Sequence, residues 1–255
     1  MEELLRTEKL RKYFGMVPAT DEVDLTLRKG VLTSIIGPNG AGKTTLINLL
    51  TGNILPDSGR VFFNGEEITR LPIHKRVKKG ICRSFQIMNI FPKLTVFENL
   101  LIPVLSHLNR SMRFYTPAHR QADANERVEQ LLKEIGLSDK KHLLAGTLSH
   151  GDQRLLEIGL ALAPEPRLLF LDEPTAGMNP VERVKVLENI RRLSKEKEST
   201  FVIVEHDMDI VFSLSDRIVV LHRGQILADG PPEEIRQNEE VRKVYLGEEI
   251  YWEKR

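Results

Sequence analysis

Nine consecutive residues, Gly37, Pro38, Asn39, Gly40, Ala41, Gly42, Lys43, Thr44 and Thr45, contain G-x-x-x-x-G-K-[ST], which the first eight complete. That pattern answers one chemical problem. A chain of phosphates needs several N–H donors converging on it with no side chain in the way, and glycines permit the backbone that path. A helix starting directly after the loop adds roughly +0.5 of partial charge facing the same point. Lys43 then suits the β- and γ-phosphates, and the Thr44 hydroxyl suits Mg²⁺. With glycine usage of about 7%, a chain this long meets the pattern by chance about once in a hundred trials.

Further groups could act on such a phosphate. The run "LLFLDEP" is apolar until Asp172 and Glu173. Carboxylates in that position can simply cap a turn. Beside a phosphate loop, Asp172 suits Mg²⁺, held through water, and Glu173 suits the base that deprotonates a water attacking the γ-phosphate. His206 closes "VIVEHD" in the same way and is placed to hydrogen-bond the γ-phosphate and that water; a lone histidine there is otherwise structural. Gln86, after "ICRSF", offers a neutral side chain to Mg²⁺ and water. Ser149, His150 and Asp152, in "GTLSHGDQRLLEIG", have the residue types of a hydrolytic triad. Triad members are joined in order by hydrogen bonds, and residues one or two apart on a helix do not face each other. A triad is excluded.

These side chains need a rigid frame, and the sequence supplies the pattern for one. Short β-rich runs alternate with helical ones, which predicts an α/β fold with a mostly parallel sheet and crossover helices. "VLTSIIG", "RLLFLDEP" and "TFVIVEHD" read as buried strands, "KTTLINLLTG" as the helix after the phosphate loop, and "RVFFNGEEI" as a strand entering an Asn-Gly turn. Val181, Val184, Leu187 and Ile190 repeat at helical spacing, with charges between them, and predict a helix. From Thr95 to about Gly146 the character turns helical, opening on the capping box "TVFE" and including the polar helix "HRQADANERVEQLLKEIG". The stretch "SHLNRSMRFYTPA" between them reads as irregular.

Composition narrows the class. Among 255 residues, 37 Lys+Arg against 36 Asp+Glu leave no net field toward nucleic acid or anionic lipid. The single cysteine, Cys82, suits a reducing compartment and reads as a buried strand position. The N-terminal stretch lacks the apolar core of a secretion signal. No run of about 18 apolar residues is present, so work at a membrane would be done from its side.

The phosphate loop, a strand-end Gln, "LSHGDQ", Asp-Glu and a strand-end His occur in one order. With them the whole chain resembles the nucleotide-binding subunit of ABC transporters. The resemblance implies a P-loop NTPase core with an antiparallel β subdomain (residues 1–94 and 164–255 of one domain, 1–255) and an inserted helical subdomain, about 95–163. It implies that "LSHGDQ", the counterpart of LSGGQ, starts a helix whose Ser149 and Gly151 contact ATP held by an opposite subunit. His150 replaces a glycine there, and Asp152 a glutamine. Phe14 in "KYFG" matches the aromatic that stacks on adenine, with Tyr13 as the competitor. Asn179 in "AGMNP" stands where aspartate is commoner.

"RSFQ", the insertion around "SMRFYTPAHRQ", "VEHDMDIV" and "VRKVYLGE" are similar to ATPases of branched-chain amino-acid importers, of the larger-insertion type. The implied protein is an ATP hydrolase using ATP and Mg²⁺, peripheral on the cytoplasmic face of a membrane. Its implied partners are a second ATPase subunit (a homologous chain favoured over an identical one), two integral membrane permeases and, indirectly, an extracytoplasmic solute-binding protein. Nucleic acid is not among them. The ATPase of a urea or amide importer, and a soluble non-transport ABC ATPase, stand as alternatives.

Overall fold

The computed structural model describes residues 2–84, 90–108, 122–196 and 198–245. Gln86 and the stretch 111–121 therefore lie outside the described residues. In chain order the elements are β1 (Glu3–Phe14), β2 (Val17–Val23), β3 (Thr26–Arg28), β4 (Thr33–Ile36), α1 (Lys43–Thr51), β5 (Ser58–Phe63), β6 (Glu66–Glu67), α2 (Ile73–Lys79) and β7 (Ile81–Arg83). There follow α3 (Val96–His107), α4 (Ala122–Ile135), α5 (His150–Leu162), β8 (Leu168–Asp172), α6 (Pro180–Glu196), β9 (Thr200–Val204), α7 (Met208–Leu214), β10 (Arg217–His222), β11 (Gln225–Gly230), α8 (Pro232–Gln237) and α9 (Glu239–Tyr245).

Among the described residues the strands form two sheets. One is antiparallel, ordered β2-β1-β5-β6 with β3 also on β1. The other runs β11-β10-β4-β9-β8-β7 and is parallel except for β11. Strands β4, β8 and β9 are buried along their whole length, which is why they read as unbroken apolar runs. Alternate residues still serve different layers. Leu168 and Phe170 of β8 join the core that packs α1 between the two sheets. Leu169 and Leu171 join the core under α3 to α6.

The parallel order sets up everything that follows. The phosphate loop leaves the C-terminal end of β4, the Asp172–Glu173 pair ends β8, and His206 follows β9. In the order β4-β9-β8 those strands are neighbours, so the three loops emerge side by side at one edge, where open α/β sheets bind ligands.

Local chemistry fixes the helices. Thr95 and Glu98 form the reciprocal capping box that the sequence predicts at the start of α3. Gly159 lets α5 lie close on its neighbours, since a Cβ there would stand 2.8 Å from Ile135 Cδ1 and 3.0 Å from Leu100 Cδ2. Arg76 of α2 is fully buried and donates to four carbonyls, those of Leu71, Leu49, Leu50 and Thr69. Two of them end α1, so a positive charge sits at the negative end of the helix whose other end meets the phosphate loop.

The helix expected from the repeat is α6, with Ile190 in the core and Leu187 packed against it, but the first half of the repeat is a correction. Val181 is 80% exposed and Val184 54%, while Val186, Ile190 and Leu193 are buried. A run spaced only by three turns about 300° per step and slips about 60° off the face each time. Counting back from Ile190, Val181 lands on the opposite side. Alternating steps of four and three, through Val186, Ile190 and Leu193, hold the face.

Cys82 lies on β7 and is buried, and burial pushes its thiol up to about 12. It is expected to resist alkylation by iodoacetamide at pH 8 in the folded protein and to react fully in denaturant. Mass spectrometry before and after unfolding checks this.

Candidate functional site

A cavity of about 390 Å³ opens at that strand edge. Its walls include Asn39, Gly40, Ala41, Gly42, Lys43, Thr44, Thr45, Asp172, Glu173 and His206, so the separate sequence motifs converge on one space. Gly37 and Pro38 form the loop's base, where their carbonyls accept from Lys43 Nζ at 2.6 and 3.1 Å. Two loop glycines are required by packing. A Cβ at Gly42, whose φ is +101°, would stand 2.0 Å from the Ala19 carbonyl oxygen, and one at Gly37 (φ +155°) 2.2 Å from that of Leu221.

Glu173 takes a left-handed backbone, φ +43°, unusual for a residue with a side chain. It is held there from two sides: its N–H donates to Val204 O at 2.8 Å, and its carbonyl accepts from Arg154 Nη2 at 3.1 Å. Such strain persists where the surroundings over-determine it. Here it brings the carboxylate to His206, whose Nε2 lies 2.7 Å from Glu173 Oε1. An ionised carboxylate can only accept, so the imidazole donates.

Asp172 is buried at the end of β8. Its Oδ2 accepts from Arg83 Nε at 2.7 Å and also from Arg83 Nη2, and Arg83 Nη1 reaches Asn48 Oδ1 at 2.5 Å. Among the described residues no three His, Cys, Asp or Glu side chains gather as a metal cage. Mg²⁺ does not need one, because it is commonly held by one or two carboxylates with phosphate and water. Thr44 and Asp172, hard oxygen donors on the same cavity, fit that ion.

Ser149 and Gly151 do not line this cavity. Ser149 caps α5, accepting from Asp152 N at 3.3 Å. Gly151 N–H donates to Glu182 Oε1 at 3.2 Å. Phe14 is 56% exposed at the end of β1, opposite Val17, and Val17 is a wall of the cavity. Tyr13 donates instead to Asp21 Oδ1 at 3.1 Å.

Several participants escaped the motifs. Val17, Pro18 and Ala19 line the cavity with no chemical signature to mark them. Glu205, buried and pushed up by that burial, receives the Thr175 hydroxyl at 2.7 Å and so joins the turn after Glu173 to the strand end before His206. Arg154, buried on α5, donates to the carbonyls of Asp172, Glu173 and Pro174 and pairs with buried Glu157 at 2.6 Å. Arg83 and Glu157 had a visible signal, namely a charge inside an otherwise apolar run, whereas Arg154 follows Asp152 and Gln153 and had none.

Residues 20–176 match the family described as ABC transporter, and residues 225–251 match the branched-chain amino acid ATP-binding cassette transporter family. The high-affinity branched-chain amino acid transport ATP-binding protein BraF of Pseudomonas aeruginosa is 44% identical over 250 residues, 96% of this chain and 98% of its own. The crystal structure of the ADP conformation of MJ1267, an ATP-binding cassette of an ABC transporter, superposes with a TM-score of 0.86 at 36% identity, covering 97% of this chain and 100% of that one. A dimeric post-hydrolysis structure of the cassette MJ0796 bound to ADP and Pi superposes at 0.74 with 25% identity, over 90% of this chain and 99% of that one.

Replacing Arg154 by Leu removes the guanidinium that pairs with buried Glu157 at 2.6 Å and frees the β8 turn. The expected cost is about 3–5 kcal/mol of folding stability, read from urea unfolding, together with a loss of ATP hydrolysis.

Proposed function

The chain belongs to the ABC transporter family, and on that premise we propose that it is the ATP-hydrolysing subunit of an importer of branched-chain amino acids. The solute class is supported by the likeness to BraF and by the match of residues 225–251 to the branched-chain family. The hydrolytic role rests on one observation above the others: a strained Glu173 held against His206 at the mouth of a glycine-lined phosphate cavity.

The residues divide the work. Loop N–H groups from Gly37 to Thr45 and the start of α1 bind the phosphates of ATP, with Lys43 at the β- and γ-phosphates. Phe14 covers the adenine. Thr44 and Asp172 hold Mg²⁺, with Gln86 as a further ligand from outside the described residues. Bound there, Mg²⁺ neutralises charge on the phosphate oxygens. Glu173 orients and deprotonates the attacking water, and His206 steadies the γ-phosphate.

Two ATPase subunits, this chain and a homologous one, meet so that Ser149 and Gly151 of one face the ATP of the other. ATP then favours the closed pair to the extent that it binds that arrangement more tightly. The dimeric MJ0796 structure supports the pairing.

Among the described residues no helix is long and apolar enough to cross a membrane, so contact with the bilayer goes through permease subunits on the cytoplasmic side. A groove of about 400 Å³ suits their docking, because apolar side chains of α2 (Ile73, Val77), α3 (Ile102, Pro103) and α5 (Leu160) line it together. It touches both the helical layer and β7, the strand that leads to Gln86.

Glu173→Gln is expected to lower ATP hydrolysis by roughly 10²–10⁴ while leaving ATP binding largely intact. Phosphate release and equilibrium binding of a fluorescent ATP analogue measure the two, and a normal hydrolysis rate would remove the base role. Ile102→Glu should leave the fold intact and sharply reduce co-purification with the membrane subunits.

A further inference from the structure

Helix α5 begins with donors already in use. Gly151 N–H donates to Glu182 Oε1 at 3.2 Å, and the Ser149 hydroxyl stands near enough to the same carboxylate to favour its charged form. The other carboxylate oxygen, Oε2, accepts from Asn179 Nδ2 at 2.8 Å, while Asn179 Oδ1 accepts from Glu182 N at 3.0 Å. Packing holds the same arrangement, since a Cβ on Gly151 would stand 2.9 Å from Glu182 Cβ and 3.1 Å from Cγ. Gly151 N–H first, then the Ser149 hydroxyl, hold the Glu182 carboxyl below the usual range against desolvation, and nearby His150 adds to the effect. An anion thus sits at the positive end of a helix of 13 residues.

Carboxylate and phosphate are both oxyanions, and they compete for the same N–H and O–H donors. We propose that Glu182 is a positioning residue that holds Ser149 and Gly151 as a stand-in for the γ-phosphate of the partner subunit's ATP, and that it must turn away before the two-chain site closes. This deepens the two-chain ATP site proposed above and rests on it. The exchange swaps one oxyanion for another, so the donors lose no partner and closure is opposed only by the difference between the two contacts.

The amide at Asn179 belongs to this device. Its Nδ2 donates to Glu182, whereas an aspartate there would set two carboxylates against each other and push Glu182 out. The substitution that looks like a lost charge is, in this chain, what keeps the carboxylate in place.

The test uses the assembled transporter, with its membrane subunits and second ATPase, carrying Glu182→Ala, Asn179→Asp or both. Asn179→Asp retains the oxygen that caps α6, so it guards against a folding defect in the first variant. Each single change is expected to lower the ATP concentration for half-maximal hydrolysis by about three- to tenfold, as when a charge-assisted hydrogen bond is removed, and the double change to go no further. Binding of a fluorescent ATP analogue to the isolated chain reads the chain's own phosphate loop and separates the two effects. A half-saturating ATP concentration that stays put or rises in both single variants overturns the proposal. Ser149→Ala in the same transporter marks which layer fails. If it impairs hydrolysis while the Glu182 and Asn179 variants change nothing, the stand-in alone is wrong. If Ser149→Ala hydrolyses ATP normally, the two-chain site falls, and the stand-in with it.

Discussion

The buried guanidinium of Arg154 is the interaction on which the rest of the site depends. It stands on α5, the helix that starts at Ser149, and its donors end on the carbonyls of Asp172, Glu173 and Pro174. A carbonyl pulled from one side and an N–H tied to Val204 from the other hold Glu173 in a backbone region that a free glutamate avoids. Glu157 balances the charge within the same helix. Two chemically separate places, the start of α5 and the turn after β8, are thereby made parts of one rigid piece.

Around that piece each ionisable group of the site has a partner within the chain. Lys43 donates to the carbonyls of its own loop, Asp172 receives Arg83, Glu173 receives His206, and Ser149 with Gly151 face Glu182. Leaving such groups unpaired at low exposure is costly. Binding ATP is therefore a change of partners, and its strength is a difference between contacts rather than a sum of new ones. Arg83 matters most in this respect, because Asp172 shares its carboxylate with a guanidinium that also reaches Asn48 on α1.

The departures from the LSGGQ pattern form a connected set. Asp152, where glutamine is usual, pairs with Lys185 of α6 at 2.8 Å and with Lys140. Despite its burial, Lys140 and then Lys185 hold its carboxyl below the usual range. Asn179 and Glu182 also belong to the start of α6. His150 reaches the Ala176 carbonyl at 3.4 Å. Each replaced residue thus works between α5 and the segment that leads into α6, so the motif has been retuned as a unit.

The phosphate loop, the Asp-Glu strand end, the strand-end histidine and the family were legible in the residues themselves. Their chemistry depends on short-range order: glycines at fixed offsets, a charge closing an apolar run, a capping box written in four residues. So were the buried strands and the place of Cys82. What stayed hidden came from contacts between distant segments. The helix α6 was legible, but its repeat drifts off the buried face at Val181 and Val184, because a spacing of three alone does not hold one face and only packing shows which face is covered. Val17, Pro18 and Ala19 carry no charge or pattern, and they line the cavity because β1 and β2 lie against the loop. Arg154 on the β8 turn and Glu182 on the start of α5 are pairings across about 20 and 30 residues. No local rule encodes such pairs; they exist because a parallel sheet sets its strand ends, and the helices between them, side by side.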